Sequence, residues 1–216
     1  MAEKFFFSLQ KSIFDCKVST DILSGSLFML KEPKEIYTAD EINCAIQRIA
    51  GEIAVDFYAP DAPEFVLVGL HRQGVPLAER IAGAILQKTG QQVAIGKLDT
   101  TMYRDDIGIR KTLPMIRETE LPFDLDNARV ILVDDVLSSG RTIRAALDAI
   151  TYFGRPRLIR LAVLVDRGNP EYPIHADYAG FSVSEPPEYK VSVDLESDTP
   201  SVRLIPRKLI TGNTGI

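Results

Sequence analysis

The chain reads as one α/β domain built on a mostly parallel, twisted sheet with helices on both faces. Three observations predict this. The apolar runs FVLVGL (65–70), RVILVDD (129–135) and LIRLAVLVDR (158–167) are rich in β-formers and lack the strict alternation of a half-exposed strand. Between them, apolar residues recur at helical spacing over 39–57, 75–88 and 141–153. Strands that alternate with helices in this way pair in parallel and are covered on both sides. A length of 216 residues accommodates one such domain without requiring two.

Residues 1–33 read as an N-terminal extension. Gln10, Lys11 and Asp15 interrupt its aromatic cluster before a signal-peptide core develops, and Met29 is an alternative start. The domain spans 34–206. Thr38-Ala39-Asp40-Glu41 has the form of a capping box, and Ile42, Ala45, Ile46, Ile49 and Ile53 follow on one helical face. A turn at 59–63 leads to the strand 65–70, the loop His71-Arg72-Gln73-Gly74 and a helix over 75–88 that ends before Gly90. Residues 92–103 read as a strand. The charged, aperiodic stretch 104–127 reads as a flexible hairpin or lid, because structureless segments of that length are usually functional. After the helix 141–153 and the strand 158–167, shorter strands are expected around Pro186-Pro187, and 207–216 is a tail.

Bulk properties narrow the function. Lys and Arg number 25 against 30 Asp and Glu, so the net charge of −5 does not draw nucleic acid to the whole surface. Two cysteines and two histidines without ligand spacing argue against a disulfide framework or a zinc site, and point to the cytoplasm. No apolar run is long enough to span a membrane.

The chemistry concentrates in VILVDDVLSSGRT, residues 130–142. Asp134 and Asp135 lie at the carboxyl edge of the sheet, where open parallel sheets bind ligands. Ser138, Ser139 and Gly140 lead into a helix whose first N–H groups lack partners, which is a cradle for a phosphate dianion. Ser139 and Thr142 add hydroxyl donors. The two acids suit a neighbouring diol, or a magnesium ion bridging diol and pyrophosphate. The competing reading is a strand end in which aspartate caps the helix and Ser-Gly makes the turn. The full string favours a sugar-phosphate site.

These thirteen residues resemble the phosphoribosyl pyrophosphate (PRPP) signature of type I phosphoribosyltransferases. LVGLHRQGVPLAERI, LDTTMYRDD, VILVDDVLSSGRTIRAALDAI, GRPRLIRLAVLVDRG and YPIHADYAGFSV occur in the order and spacing of the PyrR family, from about Glu35 to Leu195. That resemblance implies the type I phosphoribosyltransferase fold, with a flexible hairpin and a small base-binding hood. It also implies uracil phosphoribosyltransferase activity, with PRPP and uracil giving UMP and pyrophosphate, and regulation of the pyrimidine operon. Mg2+ would arrive with PRPP, near Asp134 and Asp135, with no dedicated metal ligands. Asp134 and Asp135 would hold the ribose and favour its cationic transition state. Val136, Leu137, Ser138, Ser139, Gly140, Arg141 and Thr142 would bind the 5′-phosphate. Arg72 and Gln73 stand in the pyrophosphate loop, where the family usually carries arginine directly before the glycine; a neutral amide does not replace that cation. Arg104 opens the hairpin and would close over pyrophosphate as a catalytic residue. Arg167 would contact nucleotide or base, with a salt bridge to Asp166 as the competing role. The base would meet backbone groups at Lys190-Val191. The family further implies a homodimer and, in some members, contact with operon leader mRNA, for which Arg48 is the basic residue available on the first helix. Orotate or a purine is the alternative base, without a regulatory role.

Overall fold

The protein is described by a computed structural model covering residues 32–57, 65–105, 116–184, 186 and 188–207. Its elements in chain order are β1 (Lys34–Tyr37), α1 (Ala39–Phe57), β2 (Phe65–Leu70), α2 (Gly74–Thr89), β3 (Ala94–Leu98), β4 (Arg129–Leu137), α3 (Arg141–Phe153), β5 (Leu158–Asp166), β6 (Tyr178–Ser182), β7 (Tyr189–Asp194) and β8 (Ser201–Pro206).

A strand as apolar as β4 has to be paired along both edges and covered on both faces. Val130, Ile131, Leu132 and Val133 are all fully buried. β2 and β5 flank β4 in parallel, β3 lies beyond β2, and β6 lies beyond β5. Successive residues point to opposite faces and so feed two cores. Ile131, Val133, Ala162 and Leu164 join Ile49 and Ile53 of α1 and Leu77 and Ile81 of α2. Val130, Leu132, Leu161 and Val163 join Ile143, Ala146 and Ile150 of α3. Sequence order reverses between β2 and β4, so the loops that follow these two strands diverge and leave a crevice at their carboxyl ends.

The capping box forms as expected. The backbone N–H and Oγ1 of Thr38 both donate to Glu41 Oε2 at 2.9 Å, and Glu41 N–H returns to Thr38 Oγ1 at 3.4 Å. The hood is a separate antiparallel sheet of order β1-β8-β7. Tyr37 of β1 stacks on Phe181 of β6, with centroids 3.6 Å apart, and docks the hood on the main sheet. β1 was not expected from the sequence: four residues with the first two exposed give no readable alternation.

Other expectations need correction. The strand expected over 92–103 is β3 alone, and it stops at Leu98. Asp99 Oδ1 then accepts the Thr101 N–H at 2.7 Å, which turns the chain out of the ladder into a 3-10 helix over Thr101–Tyr103. The centre of the hairpin expected over 104–127 lies outside the described residues, but its return arm is packed. Lys97 and Glu120 exchange both backbone hydrogen bonds, at 2.7 and 2.9 Å. Leu121, Phe123 and the buried Leu125 enter the α3-side core. Single apolar residues within a charged stretch have no period to reveal them. The extension at 1–33 and the tail at 207–216 fall almost wholly outside the described residues. Among the described residues, no helix is long and apolar enough to cross a membrane.

Gly74 sets how closely α2 approaches β4. A Cβ there would run into the Val133 carbonyl oxygen and stand 3.2 Å from the Asp134 Cα. Gly74→Ala forces the helix start away from the strand end. It is expected to cost about 1–3 kcal/mol, measured as a lower urea midpoint at unchanged m value.

Candidate active site

The β4 ladder continues past its last apolar residue. Asp134 pairs with Val163, Val136 with Val165 and Leu137 with Asp166. The strand therefore runs two residues beyond the expected end at 135 and carries both carboxylates into the crevice. Asp134 is only 5% exposed, and Asp135 is half-buried. Asp134 Oδ1 accepts the backbone N–H of Asp135 at 3.0 Å. Burial drives the Asp134 pKa well above the usual carboxylate range, and the adjacent Asp135 charge and a hydrogen bond to Asp135 add to it. The Asp135 amide and the Arg104 guanidinium oppose the rise. Burial also raises Asp135, against the hydrogen bond from Asp134, the backbone amide of Val136 and the charge of Lys190. Two carboxylates this close repel when both are charged, so each holds its proton more tightly than a solvated aspartate does.

Gly140 caps α3 with φ 84, a left-handed conformation that glycine adopts without cost. It has no side chain to satisfy the first N–H groups of α3. Ser139 Oγ meets the Arg141 amide only at 3.5 Å. The open amides and the helix dipole form an anion cradle beside the carboxylates. The Glu171 N–H holds the loop from outside by donating to the Ser139 carbonyl at 2.9 Å. Val136 packs against the core, Leu137 is buried and its carbonyl accepts the Arg167 N–H at 2.9 Å. These two residues have only backbone to offer a ligand.

The structure brings Arg104 to the same place. Its Nη1 donates to Thr142 Oγ1 at 2.9 Å, while its charge acts on Asp134. The Arg141 side chain is engaged elsewhere. Nε and Nη2 donate to Glu171 Oε2 at 3.1 and 2.8 Å, Nη1 donates to Asp105 Oδ2 at 2.6 Å, and the guanidinium lies 5.6 Å from the Tyr172 ring centre. The Arg141 amide lies in the first turn of α3. Arg167 Nη2 donates to the Pro186 carbonyl at 3.3 Å, and so bridges the end of β5 to the hood. Val191 is buried in β7, and its neighbour Lys190 is close enough for its charge to reach Asp135.

The loop after β2 contains a cis peptide between His71 and Arg72. Arg72 is exposed on the wall of a recess of about 610 Å³ shared with His71, Arg80, Lys97 and Arg117. Gln73 Oε1 accepts the Leu195 N–H at 2.9 Å. Arg48 is spent within the fold, on Glu52 at 3.1 Å and on the carbonyls of Ala179, at 3.1 Å, and Gly180, at 2.5 Å. Sequence reasoning missed Asp99. It is buried at the root of the hairpin and accepts backbone N–H groups from Thr101 and Arg117, one on each arm. Burial alone would raise its pKa, but the hydrogen bonds from Thr101 and Arg117 and the charge of His71 outweigh burial and hold it below the usual range. The Asp-Thr-Thr string that follows β3 was the available signal, since aspartate bonded to its own backbone two residues on marks a turn.

A parallel sheet with its strand order reversed beside β4, an amide cradle and twin carboxylates at the reversal define a type I phosphoribosyltransferase. A family model described as phosphoribosyl transferase domain matches residues 33–198. A hypoxanthine phosphoribosyltransferase from Trypanosoma cruzi, solved as a point mutant complexed with the product IMP, shares the fold at a TM-score of 0.64 and 18% identity, over 88% of this chain and 98% of that one. The bifunctional protein PyrR of Chloroflexus aurantiacus is 51% identical over 162 residues, 75% of this chain and 88% of its own. That of Thermus thermophilus is 48% identical, again over 75% of this chain and 88% of its own. The chain belongs to the PyrR family.

The raised pKa of buried Asp134 makes a stability prediction. A carboxyl whose folded pKa is raised costs nothing below the ordinary carboxylate pKa, where both states are protonated. The cost grows as pH rises toward the folded pKa and is full above it. Asp134→Asn removes this cost. The ligand-free variant should therefore melt above wild type by roughly 2–4 °C at neutral pH, with the gap closing as the pH is lowered through the carboxylate range. A gap that does not change with pH contradicts the reading.

Proposed function

We propose that the protein transfers the phosphoribosyl group of PRPP to uracil, giving UMP and pyrophosphate, and regulates pyrimidine operon transcription in response to pyrimidines. The observation that carries this is the carboxylate pair Asp134–Asp135 at the end of the β4 ladder, beside the uncapped amides of α3. A pentose with a 5′-phosphate satisfies both halves at once: the amides take the dianion and the acids take the 2- and 3-hydroxyls.

In the reaction, N1 of uracil forms a bond to C1 of the ribose, the C1–oxygen bond to pyrophosphate breaks, and the N1 proton is lost. Positive charge builds on the ribose and negative charge on the leaving group, so catalysis rests on positioning and electrostatics. Asp134, buried, and Asp135, half-buried beside it, stabilise the ribosyl cation. Residues 136–142 anchor the phosphate through backbone amides, with Ser139 and Thr142 hydroxyls to assist. Arg104 exchanges its bond to Thr142 for the leaving group, and Arg72 stands on the pyrophosphate side. Backbone groups at Lys190-Val191 receive the base, under a hood held by Arg167.

The donor set suits Mg2+: both acids are hard oxygen ligands, and no group of three or more metal-ligating side chains occurs among the described residues. The ion would come with PRPP, with Asp134 and Asp135 as its protein ligands, and would neutralise the departing pyrophosphate. We place the protein in the cytoplasm as a homodimer. Direct contact with leader mRNA through α1 loses support, because the Arg48 guanidinium is occupied and Asp56 accepts the Tyr178 hydroxyl at 2.8 Å on the same helix. The regulatory signal is nucleotide occupancy of the phosphate cradle.

Turnover assays with uracil, orotate and purine bases side by side test the assignment. Pyrophosphate release is expected with uracil in the presence of Mg2+ and PRPP, and Asp135→Asn should lower it by at least about 10²-fold. Release only with orotate or a purine would reassign the base. UMP-dependent retention of leader RNA at moderate salt would restore the mRNA partner.

A further inference from the structure

The peptide groups of Leu195 are held from two directions. Gln73, the last residue before α2, accepts the Leu195 N–H through Oε1 at 2.9 Å. Arg80, two turns along α2, donates from Nη2 to the Leu195 carbonyl at 2.9 Å. The Leu195 side chain is buried in the core shared by α1 and α2. Leu195 directly follows β7, and β7 carries Lys190 and Val191 toward Asp135. β7 bonds to β8 along its length. Toward the loop after β2, the hydrogen bonds the structure describes are those from Gln73 and Arg80.

We propose that Gln73 and Arg80 are positioning residues that clamp the end of β7 to the pyrophosphate loop, fixing the distance between the base-binding strand and the leaving-group side of the crevice. This rests on the phosphoribosyltransferase reading above and assigns Gln73 a role other than ligand contact. The side chain at 73 has to be an acceptor, because the group it meets is an N–H. A guanidinium has five donors and no acceptor, so arginine at 73 breaks the clamp even while adding a cation beside pyrophosphate. A glutamate keeps the acceptor while adding a negative charge. A methionine keeps the length and offers only a weak acceptor. The clamp and direct pyrophosphate binding therefore rank the same three substitutions in opposite orders.

The experiment compares Gln73→Glu, Gln73→Met and Gln73→Arg by steady-state kinetics and by amide hydrogen exchange at Leu195. If the clamp operates, Met and Arg raise the KM for uracil about three- to tenfold, while Glu stays within about twofold of wild type. Leu195 exchange accelerates in Met and Arg and remains slow in Glu. A KM for PRPP that is lowest with Arg and highest with Glu, alongside an unchanged KM for uracil, overturns the proposal. So does Leu195 exchange that is the same in all four proteins. Arg80→Lys and Arg80→Met supply the second half of the clamp: the lysine should preserve slow exchange across Leu195-Glu196 better than the methionine, and equal exchange in the two contradicts it. Should wild type fail to turn over uracil, the functional reading falls, and the exchange measurements still decide the clamp.

Discussion

Two carboxyl groups at the end of the buried apolar run of β4 repel each other, Asp134 has lost most of its water, and the site is arranged around that cost. Asp134 cannot move to solvent, because the β4 ladder continues through it and Gly74 brings the start of α2 against its backbone. Arg104 supplies compensating charge to Asp134, and Lys190 supplies it to Asp135. A site poised in this way favours whatever brings positive charge into the crevice: a divalent cation in the ground state, a ribosyl cation in the transition state. Electrostatic tension in the free protein becomes affinity for the reacting species.

The fold delivers the remaining parts through the order of its strands. With β3 outside β2 and β5 outside β4, the two loops that must hold opposite ends of PRPP part at a single boundary. The hood is tied to both: Arg167 reaches Pro186 from the β5 side, and Gln73 and Arg80 reach Leu195 from the α2 side. Asp99 gathers the two arms of the hairpin at its root, and Arg104 and Asp105 dock the first arm on the cradle through Thr142 and Arg141. Charge, phosphate loop and hood are parts of one connected assembly.

What was legible in the sequence was local. The helix α1 announced itself through the Thr38–Glu41 box and its isoleucine spacing, and α3 through Gly140 at one end and Gly154 at the other. The sugar-phosphate site could be read from 130–142 because the strand end, the acids and the cradle are contiguous there. Elsewhere the determining contacts are distant in sequence. Arg48 looked like a surface cation and is consumed by carbonyls some 131 residues away. Arg141 looked like a phosphate ligand and is held by Glu171 and Asp105, which only the folded chain brings together. Gln73 was legible as part of the pyrophosphate loop, but its hydrogen bond with Leu195, 122 residues on, was not. β1 was too short to show a period, and Leu125 had no periodic neighbours.

Calorimetric titration of the protein with PRPP and Mg2+ in two buffers of different ionisation enthalpy tests the central claim most directly. If burial and mutual repulsion raise the pKa values of Asp134 and Asp135 and a bound cation lowers them again, binding releases protons as the pH is lowered toward the carboxylate range, and Asp134→Asn binds with less release. Binding with the same buffer-independent heat in both proteins, or no binding at all, would contradict the account.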